Sequence, residues 1–116
     1  MSEPAAELLY HYTTIADWQR SIVAGEHRVS GRGMTLSDEG FIHLCDAGQR
    51  AGVWQRFWSG IDEPVVLLTV DATLVEPPVV RENTHGGAEL FPHLYGPLPV
   101  AAVLSVDRVD ADGHPV

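Results

Sequence analysis

A chain of 116 residues with 45% hydrophobic side chains is about one domain's worth and can bury a single core. Its formal charge of -9, from 16 acidic against 7 basic side chains, is the opposite of what binding to a phosphate backbone or an anionic lipid surface needs, so neither nucleic acid nor membrane is favoured as a partner. Cys45 is the sole cysteine, which excludes an intramolecular disulfide and a cysteine-rich zinc site and fits a reducing, cytoplasmic setting.

The opening MSEPAAELLYHY carries no positive leader, and no apolar run of about 18 residues occurs, so neither a secretion signal nor a membrane span is expected. LLYHYT, residues 8–13, alternates Leu8, Tyr10 and Tyr12 with Leu9, His11 and Thr13, as a strand does. Thr14 can cap a following helix in which Ile15, Trp18, Ile22 and Val23 stand near helical spacing before Gly25 stops it. EHRVSGRGMTLSDEG is polar and glycine-bearing, one short strand and then a loop, with Asp38 and Glu39 as solvated turn residues.

GFIHLCD, residues 40–46, reads as a second strand with Phe41, His43 and Cys45 on one face. From Asp46 to Gly60 the stripe Val53, Trp54, Phe57, Trp58 predicts a helix pinned on the core. EPVVLLTVDA is continuous enough to be a central strand buried on both faces, and PPVVREN a short strand after its double proline. Residues 84–99 read as a loop, VAAVLSVDRVD (100–110) as a final strand, and 111–116 as a frayed tail, with residues 1–7 flexible at the other end. Strands and helices mix in an order that suggests α+β within a single domain, 1–116, whose core spans about residues 8–110.

Polar residues in apolar surroundings are the informative ones, because burying them costs free energy unless they find partners. His11, His43 and His93 each sit in such a frame. For a lone histidine a ring nitrogen satisfied by backbone is the plainer reading; three of them point toward a site. His85, Glu89 and His93 are spaced by four, but Gly86, Gly87 and Pro92 break the helix that would align them as metal ligands. A metal held by His11, His43 and His93 from separate segments stays open as an alternative. Cys45 as a nucleophile is disfavoured, since His43 two residues away on a strand stands roughly 6 to 7 Å from it. Glu89 beside Leu90, Phe91 and Pro92 is a candidate acid/base or hydrogen-bonding carboxylate.

The segments LYHYTT, SDEGFIHLC and ELFPHLYGPL, in that order, resemble the bacterial family known as domain of unknown function 952, over nearly the whole chain from about Leu8 to about Val109. That resemblance implies an ADP-ribosyltransferase-like α+β fold: two roughly perpendicular, mainly antiparallel sheets forming a cleft, with short flanking helices. It also implies a shared set comprising His11, His43, Glu89, Phe91, Pro92, His93, Tyr95 and Gly96, with Glu82 a weaker member. In the toxin-like and RNA 2'-phosphotransferase branches of that fold a first-strand histidine followed by glycine holds NAD or ADP-ribose. His11 takes that position here, but Tyr12 replaces the glycine and crowds a dinucleotide, which counts against NAD as the cofactor.

The combined reading is a cleft lined by histidine and glutamate that binds a nucleotide-like or other small polar ligand and carries out transferase or hydrolase chemistry on it. His11 is expected to orient the ligand, Glu89 to act as base, and His43 and His93 to serve as acid/base or anion-holding groups. Thr13, Phe41, Glu82, Phe91 and Tyr95 are the expected ligand contacts. The alternatives are a non-catalytic ligand-binding or sensor module and, third, a metal-dependent enzyme built on the three histidines.

Overall fold

The computed structural model describes residues 7–116. Of the expected flexible lead only Glu7 falls among the described residues, and it is tied down: its carbonyl accepts from Ala72 N at 2.9 Å. The chain is a small α+β protein. Strand β1 (Leu8–Thr14) runs into helix α1 (Ile15–Ala24), followed by β2 (Glu26–His27), β3 (Val29–Gly31), β4 (Met34–Thr35), the single turn α2 (Leu36–Glu39) and β5 (Ile42–His43). Next come α3 (Arg50–Val53), β6 (Val65–Asp71), β7 (Val79–Glu82), β8 (Phe91–Leu94), β9 (Leu98–Pro99) and β10 (Val103–Arg108). The strands form four antiparallel ladders, β1-β6-β10, β5-β8-β7, β2-β9 and β3-β4, where two larger sheets were expected. Among the described residues no helix is long and apolar enough to cross a membrane.

β6 sits between β1 and β10, and its continuous apolar run is explained by burial on both faces. Val66, Leu68 and Val70 pack with Leu9, Trp18, Ile42, Leu94 and Leu98, while Val65 and Leu67 pack with Tyr12, Trp54 and Trp58 on the other side. α1 is capped as its sequence suggests, with Thr14 Oγ1 accepting from Asp17 N at 3.1 Å and Gly25 at φ 83° closing the end. Its buried face differs from the apolar stripe: Trp18 and Ser21 point inward, whereas Ile22 and Val23 are exposed.

Four segments depart from the sequence reading. Residues 26–40, read as one short strand and then a loop, form β2, the β3–β4 hairpin and the turn α2, because β2 finds its partner in the distant β9 and Thr35 caps α2. The helix expected through residues 46–60 widens after Val53 into a π-type turn over Trp54–Trp58, closed by Ser59 N donating to Trp54 O at 2.8 Å. The extra residue buries both tryptophans and turns Phe57 outward, 44% exposed, although its spacing had placed it in the core. The segment 84–99, read as loop, contains the middle strand β8. Pro92 is tolerated there because its carbonyl, and with it the missing donor, faces the β5 side, where Leu44 N donates to that carbonyl at 3.0 Å; the β7 ladder loses nothing. The expected tail is held down too: Tyr12 Oη donates to Gly113 O at 2.9 Å and Trp54 Nε1 to Ala111 O at 3.1 Å.

A buried chain of polar side chains ties α1, β2, β1 and β5 together. His11 Nδ1 lies 2.6 Å from His43 O, His11 Nε2 lies 3.1 Å from His27 Nε2, and His27 Nδ1 lies 2.6 Å from Ser21 Oγ. A carbonyl only accepts, so His11 carries its proton on Nδ1 and Nε2 offers a lone pair. His27 therefore donates from Nε2, and Ser21 donates to His27 Nδ1. One proton arrangement keeps both rings neutral, with the single Ser21 hydroxyl proton given to His27 Nδ1 at 2.6 Å rather than to Asp17 O at 3.0 Å. Burial, reinforced by the neighbouring His27, holds His11 down at about 3, and burial alone holds His27 at about 4.

Two consequences are measurable. Both folded-state values lie below the ordinary histidine value of 6.5, so the unfolded chain binds more protons and stability drains away as pH falls from about 6.5 toward 4. The urea midpoint is expected to drop between about pH 7.5 and about pH 5, above most carboxylate titrations, and a His27→Gln variant should show a smaller drop. Separately, Thr13 Oγ1 is the one buried side-chain polar atom among the described residues without a hydrogen-bond partner. Thr13→Val is expected to stabilise the fold by about 1 kcal/mol, read as a raised urea midpoint.

Candidate functional site

β5 and β8 pair so that His43 and His93 are direct cross-strand partners. Their rings stand edge to face with centroids 5.3 Å apart. β7 pairs on the other side of β8, and Glu82, diagonal to His93, reaches it: His93 Nδ1 lies 2.9 Å from Glu82 Oε1. Tyr95 donates its hydroxyl to the same carboxylate oxygen. These bonds hold the Glu82 carboxyl below its ordinary value, Tyr95's being the larger effect, and the same bond raises the Tyr95 hydroxyl. Phe41 stacks nearly parallel on His93 with centroids 4.0 Å apart and fixes the ring plane.

An ionised Glu82 accepts, so His93 carries its proton on Nδ1. His93 Nε2 has no hydrogen-bond partner within the protein and is not sealed off from solvent, and His93 lines a cavity into which that free nitrogen opens. This carboxylate and imidazole arrangement orients a histidine as an acid/base.

The cavity has a volume of about 420 Å³. Its inner wall comprises Tyr10, His11 and Tyr12 of β1, His43 of β5, and Phe91 and His93 of β8; Ser30, Gly31, Arg32 and Met34 come from the β3–β4 hairpin, Arg56 and Phe57 from the π-type turn, and His85 from the loop after β7. Four of the six histidines and two of the seven basic residues line it, against one carboxylate, Glu39, among the described residues. Glu39 is already engaged, lying 3.3 Å from His43 Nε2. Burial lowers the His43 value despite that bond, so His43 is neutral near pH 7.

Of the four expected catalytic residues, His11, His43 and His93 line the cavity. The two ring nitrogens of His11 are spent on His43 O and His27, which leaves only its carbon edge for the wall. Glu89 lies outside the lining, about half exposed at the rim, where Gln49 Nε2 and Arg56 approach its carboxylate at 3.3 and 3.4 Å. Among the expected ligand contacts Phe91 lines the cavity; Phe41 and Glu82 stand behind His93, Tyr95 is exposed on the far side of Glu82, and Thr13 is buried in the core.

Other groups enter from segments that looked unremarkable. Glu39 is not a free turn carboxylate: Thr35 caps α2 through a reciprocal bond with Asp38, and that turn aims Glu39 at His43. His27, in a polar stretch, is fully buried. Arg32 and Arg56 follow no motif, and their one sequence signal is that they are two of only seven basic residues in an acidic chain. Neither the serine nor the cysteine that lines the cavity is poised as a nucleophile: Ser30 Oγ is spent on Phe41 O at 2.5 Å, and burial pushes the Cys45 thiol up to about 12. Among the described residues no group of three or more histidine, cysteine or acidic side chains is arranged to hold a metal ion.

Two solved structures of the protein CC0527 from Caulobacter crescentus resemble the whole fold. The crystal structure is 31% identical, with a TM-score of 0.77 over 95% of this chain and 94% of that one. The solution NMR structure is 33% identical, with a TM-score of 0.71 over 93% and 90%. Neither establishes the ADP-ribosyltransferase-like architecture that the sequence resemblance implied; what they support is a small mixed α+β protein. No curated protein matches the chain. The sequence profile of a family described as "Protein of unknown function (DUF952)" matches residues 12–106, and the chain belongs to that family.

Proposed function

We propose that the cavity binds a small polar, nucleotide-like ligand and performs transferase or hydrolase chemistry on it, with His93 as the acid/base. The observation that carries this reading is the Glu82–His93 contact of 2.9 Å, in a residue whose other nitrogen opens into the cavity. In this scheme His93 Nε2 takes a proton from water or a ligand hydroxyl as that oxygen attacks an electrophilic centre, and the resulting imidazolium returns the proton to the leaving group. Glu82 holds the reactive tautomer and stabilises the imidazolium, and the stacked Phe41 keeps the ring in plane. Neutral His43, edge-on at 5.3 Å, supplies a hydrogen-bonding neighbour without the repulsion a second cation would bring. With Ser30 committed and Cys45 protonated, the attack is direct and no covalent protein intermediate forms.

An ADP-ribosyltransferase-like relationship belongs to this reading at the level of ancestry. The ribose-holding role of a first-strand histidine does not transfer, because His11 has no nitrogen to offer. The assignment of the base moves in the same way, from Glu89 at the rim to the Glu82–His93 pair. The competing reading is a non-catalytic binding module in which the same groups only hold the ligand.

A panel of nucleotides and phosphoesters tests this by ligand-observed NMR and by product analysis. Wild type is expected to turn over at least one member. His93→Gln should lose about 100-fold or more in kcat, and Glu82→Gln about 10-fold, with ligand affinity changed by less than about 3-fold. Binding by wild type without turnover would favour the module, and unchanged kcat in His93→Gln would remove His93 as the acid/base.

A further inference from the structure

We infer that the mouth of the cavity contains an anion subsite built from Arg32 and Arg56, currently screened by Glu89, and that the ligand presents a phosphate group there. The inference rests on the cavity being a ligand site, as proposed above, and adds what the ligand must carry.

The two guanidinium groups converge on Phe57. Arg32 Nη1 reaches the Phe57 carbonyl at 3.4 Å, and the Arg56 guanidinium lies 5.8 Å from the centre of the Phe57 ring and 5.6 Å from that of Phe91. Arg56 Nε donates to Gly52 O at 3.2 Å, and the two rings hold the rest of the guanidinium without consuming its Nη donors, which stay available for a planar or tetrahedral oxyanion. Arg32 pairs with no carboxylate among the described residues, and its one hydrogen bond is long.

Glu89 is the counter-argument and becomes part of the site. Its carboxylate meets Arg56 at 3.4 Å and Gln49 at 3.3 Å, both long contacts, and the Arg56 and Glu89 side chains are each about half exposed. The loop that delivers it is self-supporting: the Asn83 side chain accepts from His85 N at 2.7 Å and Gly87 N at 3.0 Å and donates to Glu89 O at 2.7 Å. One loop therefore sets His85 on the cavity wall and Glu89 on Arg56. An exposed pair of this kind contributes little, so a dianion meeting two arginines displaces it readily, and Glu89 acts as an internal competitor that lowers affinity for anions.

AMP, adenosine and inorganic phosphate, titrated separately at low salt and followed by calorimetry and NMR shifts, separate the terms. Wild type is expected to bind AMP about 10-fold or more tightly than adenosine, with a gap that shrinks as salt is added. Arg32→Gln and Arg56→Gln should each close most of that gap while adenosine binding stays put, and Glu89→Gln should tighten AMP binding about 3- to 10-fold with adenosine unchanged. Phosphate binding without a nucleoside contribution would keep the subsite and point to another phosphorylated ligand. Equal affinity for AMP and adenosine, no binding of any of the three at millimolar concentration, or an unchanged AMP affinity in Glu89→Gln would overturn the inference. An intact gap together with no turnover by wild type would instead defeat the catalytic reading and leave the subsite standing. Urea midpoints of the variants confirm that each is folded.

Discussion

His11 Nδ1, buried in the interior, donates to the carbonyl of the partly buried His43 at 2.6 Å, and the arrangement of the molecule turns on that bond. It joins the strand that pairs with the central β6 to the strand that pairs with β8, so it links the two larger ladders beside the Tyr10–Cys45 bridge. It also decides the proton on His11, which decides His27, which decides Ser21. A charged ring in this chain would cost desolvation, and burial depresses the affinity of both histidines for a proton accordingly. The core cross-link is thus a neutral one, stable at neutral pH because its imidazoles stay unprotonated.

The same residue type does three different things within one small fold, and the surroundings make the difference. His11 and His27 have every nitrogen satisfied inside the protein and act as structural cross-links. His93 has one nitrogen on a carboxylate and the other toward open space, the combination suited to proton transfer. His85 sits on an exposed loop, its ring 6.2 Å from that of His43 and 6.1 Å from that of Phe57, where it can contribute to a rim. Spacing along the chain does not distinguish these roles; the identity of the atom facing each nitrogen does.

Much of the scaffold was legible from local pattern. The caps of α1, the two-sided burial of β6 and the strand at His43 follow from side-chain periodicity and from Thr14 and Gly25, because those features depend on neighbours a few residues away. The misread segments share one cause. Pro92 looked like a strand breaker because the direction of its missing donor cannot be known until its partners are placed, and Phe57 looked like core because one extra residue in the turn rotates it outward. Of the expected site, His43 and His93 come together as cross-strand partners, whereas Glu82, a lesser candidate, occupies the place beside the histidine where Glu89 had been expected.

By itself the sequence determined the α+β class, the family, the acidic surface and the presence of more histidines in apolar settings than a core normally holds, since each of these depends on composition or short-range order. Only the tertiary structure decided which histidine is free. That choice depends on hydrogen bonds between residues 11, 27 and 43 and between 82 and 93, whose separations along the chain carry no pattern. The segment AELFPHLYGPLP shows the difference. Its polar residues stand out in sequence, but their division into a half-exposed carboxylate at Glu89, an imidazole at His93 held by Glu82 and a hydroxyl at Tyr95 on that same carboxylate comes from how β8 lies between β5 and β7.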